Sequence, residues 1–127
     1  MLLNLTDLSS ESLQSQIVRQ IRAKILAGEL AADTDLPSIR NLARDQHVSV
    51  ITVQRAYETL LRDGLIHSRR GKGFFVSDIQ DDDKYDMAEQ RLVEKLAPII
   101  TAALAEGLST RDIKSALNTV LKQNGKS

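Results

Sequence analysis

Apolar residues recur at helical spacing in five places along this chain, with one short stretch of strand-like alternation after the third. Leu13, Ile17, Ile21 and Ile25 fall every fourth position and predict a helix over 10–27, capped by Ser9 or Ser10 and ended at Gly28. The stretch "ELAADTDLP" at 29–37 reads as a loop, because Pro37 disfavours helical geometry at Leu36. Ser38 caps a short second helix over about 39–45, with Ile39, Leu42 and Ala43 inward. After a turn, "QHVS" at 46–49, Ser49 opens a third helix that runs to about Asp63. Val53, Ala56, Tyr57 and Leu60 line one side of it, and Gly64 stands at its end.

Beyond Gly64 the period changes. Residues 65–69 and 74–77 predict two short strands flanking "RGKG", whose glycines supply the turn. The acid-rich stretch that follows predicts a linker over 78–85, solvated and not metal-binding, since the glycine and glutamate spacing of a calcium loop is missing. From Met87 the helical period returns. Leu92, Leu96, Ile99, Ile100 and Leu104 form one stripe, with Pro98 expected to bend or break the helix and Gly107 to end it. "STRD" at 109–112 has the form of a capping box. It precedes a last stripe of Ile113, Leu117, Val120 and Leu121 and a frayed tail, "KQNGKS".

The predicted architecture is mainly α with a small β-hairpin wing. It comprises a head over 8–77, the linker over 78–85 and a C-terminal two-helix hairpin over 86–123. A two-helix hairpin cannot bury both of its faces alone, so a partner is expected. Leu92, Leu96, Ile99, Ile100, Leu104, Ile113, Leu117 and Leu121 are its candidate dimerisation residues. The bland alternative is that these helices fold back on their own head.

Charge alters the picture locally. The net charge is zero, but the window 36–76 holds seven basic residues (Arg40, Arg44, Arg55, Arg62, Arg69, Arg70, Lys72) against three acids (Asp45, Glu58, Asp63). Seven minus three leaves an excess of four positive charges in one segment. Screening confines fields to roughly 8–10 Å at physiological salt, so this local excess matters more than the average. There is no cysteine, hence no disulfide and no thiolate site. His47 and His67 lack a carboxylate constellation and read as turn and strand residues, not metal ligands. No nucleophile–base spacing and no nucleotide loop is present, because Lys72 is followed by Gly73 and a strand, so no enzyme and no cofactor is expected. No run approaches the ~20 apolar residues of a membrane helix and the N-terminus lacks a secretory pattern, which predicts a soluble cytoplasmic protein.

Two short helices joined by a tight turn let the second protrude, and a protruding helix fits the DNA major groove, ~12 Å wide. The inward stripe of the third helix leaves Ile51, Gln54, Arg55, Glu58 and Arg62 on its outer side. A hairpin tip carrying Arg69, Arg70 and Lys72 beside that helix can straddle a phosphate backbone or reach the minor groove. A solvated turn is the bland reading of the same residues.

In these features residues 36–76 strongly resemble the winged helix-turn-helix head of GntR-family bacterial transcription regulators. Leu36-Pro37-Ser38 with Arg40, Leu42-Ala43, Val48-Ser49 with Thr52-Val53, Ala56-Tyr57 with Leu60, Gly64-Leu65-Ile66, and Ser68-Arg69 with Gly71 and Gly73 carry the match. The short tail resembles, by length and pattern, the dimerisation element of the YtrA subgroup. The resemblance implies a homodimeric regulator, a repressor by expectation, that binds an inverted-repeat operator on double-stranded DNA. A small-molecule effector of unknown identity is a further partner to expect. It also implies that Arg40 grips DNA from the second helix, that Ser49, Thr52 and Gln54 sit where the third helix meets it, and that Arg70, Gly71 and Lys72 form the wing tip. Arg55 and Arg69 join this set as exposed cations. Leu36, Leu42, Val53, Leu60 and Leu65 are expected in the core, and Tyr57 as a core aromatic with a wet hydroxyl.

Three departures bear on base preference and on the turns. Val50-Ile51 stands where many relatives carry a basic residue; it cannot make a bidentate guanine contact but can pack on thymine methyl groups. His47 replaces the usual glycine before Val48, and Ala32-Asp33 replaces Pro-Gly. The competing reading is a winged-helix protein-interaction module without DNA function.

Overall fold

Serine side chains open each helix of the head in a computed structural model that describes residues 1–125. Ser12, Ser38 and Ser49 are extended, and their oxygens accept from the N–H groups of Ser15, Asn41 and Thr52. The helices they open are α1 (Leu13–Leu26), α2 (Ile39–Gln46) and α3 (Val50–Arg62). The first start differs from the sequence expectation, because neither Ser9 nor Ser10 caps α1. Ser9 Oγ instead takes the Glu11 N–H at 3.0 Å. The Gln16 amide also donates to the carbonyls of Thr6 and Glu11 at 2.9 and 2.8 Å. Local side-chain bonds of this kind hold 6–11 as a turn and compete with helix.

The core lies between these helices. Ile17, Ile21 and Ile25 of α1 and Val53, Ala56, Tyr57 and Leu60 of α3 are buried, and Leu36, Leu42, Ala43 and Leu65 join them; Ile39 is only half-buried. α3 is the hub, packed on α1, on α2 and on the first strand of the hairpin. The N-terminal segment adds Leu3 to the core. Gln20 fastens it in both directions, accepting from Asn4 N–H at 2.8 Å and donating to Asn4 O at 2.7 Å.

The hairpin pairs β1 (Ile66–Arg69) with β2 (Gly73–Val76) antiparallel, Ile66 opposite Val76 and Arg69 opposite Gly73. The 29–37 segment is more than a loop. Asp33 N–H donates to Val76 O, Val76 N–H to Thr34 O and Leu36 N–H to Phe74 O, at 2.8–2.9 Å. Residues 33–36 therefore cover the free edge of β2, which would otherwise present unpaired backbone groups.

α2 and α3 end alike. Val48 N–H donates to Ala43 O and Leu65 N–H to Leu60 O, the long bond of a Schellman turn. Gly64 supplies the left-handed residue after α3, at φ 76°; His47 supplies it after α2, at φ 56°. The helix-turn-helix turn thus keeps the glycine-type geometry without the glycine.

The chain comprises two compact units, one over 1–84 and a second from Tyr85 onward. α4 (Asp81–Ala105) runs unbroken through Pro98, and α5 (Thr110–Gln123) follows. Three expectations change here. Of the stretch expected as a linker over 78–85, only 78–80 lack regular secondary structure, and residues 81–85 are helical, with Asp81, Asp82 and Asp83 complementing the positive end of the α4 dipole. Pro98, expected to bend or break its helix, does not break it. Lys122 and Gln123 belong to α5 and not to a frayed tail, whose last two residues lie outside the described ones. The capping box forms as the spacing predicts: Asp112 N–H donates to Ser109 Oγ and Ser109 N–H to Asp112 Oδ2, at 3.1 and 2.9 Å. That backbone bond holds the Asp112 carboxyl below its ordinary range.

Candidate nucleic-acid interface

α3 turns by about 100° per residue. With Val53, Ala56, Tyr57 and Leu60 buried, its opposite side carries Ile51, Arg55, Glu58 and Arg62, all exposed, with exposed Val50 and Gln54 beside them. Nothing in the head covers this side. Ser49 and Thr52 stand at the leading end. Their hydroxyls share a 2.8 Å hydrogen bond and the Ser49 oxygen also caps α3, so both are held in place before any ligand arrives. Gln54 donates from Nε2 to Glu58 Oε1 at 3.3 Å. Arg40 is exposed on the first turn of α2.

At the wing, Lys72 N–H donates to Arg69 O at 2.9 Å, closing a four-residue turn with Arg70 and Gly71 at its centre. Gly71 adopts φ 74°, the value that the third position of a type II turn demands. Arg70 and Lys72 are exposed on either side of it. Arg69 behaves differently. Its guanidinium binds Asp33 Oδ1 at 2.7 Å and lies 4.3 Å from the centroid of the Phe75 ring. The sequence groups Arg69 with the tip cations; its exposed side chain also ties the wing to residue 33. His67 stacks on the same Phe75 ring, with centroids 5.9 Å apart.

Among the described residues Arg40, Arg55, Arg70 and Lys72 have no ion-pair partner, whereas Arg69 has Asp33 and Arg44 has Asp45 at 3.5 Å. The Arg44–Asp45 pair is so exposed that it contributes little. Arg40, Arg55, Arg70 and Lys72, on α2, on α3 and at the wing tip, are therefore exposed without a carboxylate paired to them among the described residues.

The Tyr57 hydroxyl is not wet as the sequence suggests. It donates to Pro37 O at 2.7 Å, the ring is 1% exposed, and burial pushes its phenol well above the ordinary tyrosine range. The bond ties the middle of α3 to the residue just before the α2 cap and so fixes the two helices of the motif against each other. Sequence inspection also misses Asp33 and Phe75, the partners of Arg69. The only local signal for Asp33 is its tolerance of the left-handed region, where it sits at φ 63°.

In the tail, Leu92, Ile99, Leu104, Leu117 and Leu121 are exposed and Leu96, Ile100 and Ile113 half-buried; neither helix buries a residue. Among the described residues no helix is long and apolar enough to cross a membrane.

Comparison with known proteins agrees with this geometry. The sequence model described as "Bacterial regulatory proteins, gntR family" matches residues 13–76. The HTH-type transcriptional regulator YhcF of Bacillus subtilis is 30% identical over 78% of this chain and 74% of its own length. Two repressors from the same organism are each 36% identical: NagR over 59% of this chain and 31% of its own, YtrA over 55% and 54%. The chain thus spans less than two thirds of NagR and YtrA. Among solved structures, a transcriptional regulator from Oenococcus oeni superposes with TM-score 0.68 at 25% identity, covering 92% of this chain and 97% of that one. YtrA from Sulfolobus acidocaldarius, a GntR-family transcription factor, gives 0.56 at 30% identity over 95% and 97%. The DNA-binding domain of AraR, solved in complex with operator ORX1, gives 0.51 at 26% identity over 59% and 96%. By its sequence, its helix-turn-helix and its two-stranded wing, the chain belongs to the GntR family of bacterial regulatory proteins, DNA-binding regulators of transcription.

Proposed function

We propose that this chain is a cytoplasmic, non-enzymatic repressor that works as a homodimer on an inverted-repeat operator. α3 enters the major groove and the wing tip contacts the flanking backbone. One observation carries the reading: the outer side of α3 is uncovered, and Arg40, Arg55, Arg70 and Lys72 around it have no partner among the described residues. Ser49, Thr52 and Gln54 meet the bases or their phosphates from the first turns of α3, and Gly71 lets the wing backbone approach closely. The repressor role follows the relatives NagR and YtrA, both named repressors. Homodimerisation would cover the exposed stripe of α4 and α5, and twofold symmetry of two heads calls for an inverted repeat.

Selection of duplexes from a random pool, followed by binding across a salt series, tests the reading. Affinity should fall steeply with salt, as counterions are released from contacted phosphates. Arg40→Ala and Arg70→Ala should each weaken binding and lower the salt slope by about one. Parent-like affinity in both variants would reject the contact assignment, and a pool without enrichment would favour a protein-interaction module. A monomer in sedimentation at micromolar concentration would reject the dimer.

A further inference from the structure

Cationic residues surround the reading helix, yet its leading turn is apolar. Val50 and Ile51 are 47% and 57% exposed, although both are β-branched and neither packs on the core. The first turn of α3 contains no acid, and its first basic residue is Arg55, more than a turn further on. The bidentate guanine contact of an arginine or lysine is therefore unavailable at the leading end. The two hydroxyls there, Ser49 and Thr52, are turned toward each other. Among the standard base pairs only those with thymine offer the major groove an apolar group, its C5-methyl.

Resting on the DNA-binding reading above, we infer that Val50 and Ile51 form a sensor for pyrimidine C5-methyl groups, which sets thymine at the centre of each operator half-site. Gln54 lies one turn beyond Val50 on the same flank. Its bond to Glu58 uses one Nε2 hydrogen and leaves the second, together with Oε1, for a base edge. That donor–acceptor pair matches adenine N7 and N6, so methyl and amide together favour a T·A step.

Uracil in place of thymine removes only the methyl group and so isolates the contact. Each thymine of the selected operator is replaced by uracil in turn, and binding is measured by fluorescence anisotropy. One or two positions in each half-site should weaken by about fourfold per buried methyl. The Val50→Ala/Ile51→Ala double variant should bind thymine and uracil duplexes within about twofold of each other. Its two sites are exposed, so an intact head is expected; retained weak binding to an unrelated duplex at low salt verifies it. Because 5-methylcytosine carries the same group, a duplex with it in place of every cytosine is the second arm, and unchanged affinity assigns the contact to thymine. Uracil tolerated at every position overturns the inference while leaving DNA binding intact. A pool that yields no sites overturns both.

Discussion

Ile17, Ile21 and Ile25 on α1 and Leu92, Leu96, Ile99 and Leu104 on α4 are stripes of similar spacing, but the first is sealed from solvent and the second is half-buried at best. Their cover makes the difference. α1 meets α3, which also receives α2 and β1, so four elements of one chain close a core. α4 and α5 bury nothing comparable. A helical period says which side chains share a face; it does not say what covers that face. Fully burying a leucine or isoleucine is worth about 1.5–3 kcal/mol. The head gains this from its own chain, and in the proposed dimer the tail gains it from a second copy.

The largest test of that contrast is Leu60→Ala, in the hub of the head. It should cost about 2–5 kcal/mol in urea unfolding, through lost transfer energy plus a cavity. A cost under about 1 kcal/mol would mean that the head is no better sealed than the tail. Tyr57→Phe comes next, at about 1–2 kcal/mol, because it takes the hydroxyl donor away from the part-buried Pro37 carbonyl. It also carries a pH signature. Burial raises the Tyr57 phenol, so its contribution is complete below the ordinary tyrosine pKa of about 10 and declines as pH rises beyond that value. Unfolding midpoints between pH 8 and 11 should fall for the parent and fall less for the phenylalanine variant. His47→Gly should stabilise the head by about 0.5–1 kcal/mol, since the residue already occupies the left-handed region that glycine adopts without strain. Ile99→Ala should have the smallest effect on the head, under about 0.5 kcal/mol. It should nonetheless shift sedimentation toward monomer, and an unchanged association constant would detach Ile99 from the proposed dimer face.

Much of the head is legible because its cues are local. Ser38 and Ser49 announce α2 and α3, Gly64 ends α3, and Gly71 marks the hairpin tip. The candidate contacts on α3 are legible for the same reason: once its buried side is known from its period, Ile51, Gln54 and Arg55 must lie away from it. The role of Arg69 is not legible. Along the chain it belongs with Arg70 and Lys72; in space its guanidinium is occupied by Asp33, 36 residues away. Likewise Ser9 and Ser10 resemble caps as well as Ser12 does until Gln16 is seen to bind the backbone of Thr6 and Glu11.

By itself the sequence determined the helix-turn-helix order, the serine caps of α2, α3 and α5 and the glycine-tipped wing, because each depends on residues within about one turn of one another. Tertiary structure alone decided which cation braces the wing, that residues 33–36 close the edge of β2, and that the Tyr57 hydroxyl is satisfied by Pro37. Those outcomes turn on which distant groups meet and how their side chains are directed, and linear spacing carries no information about either.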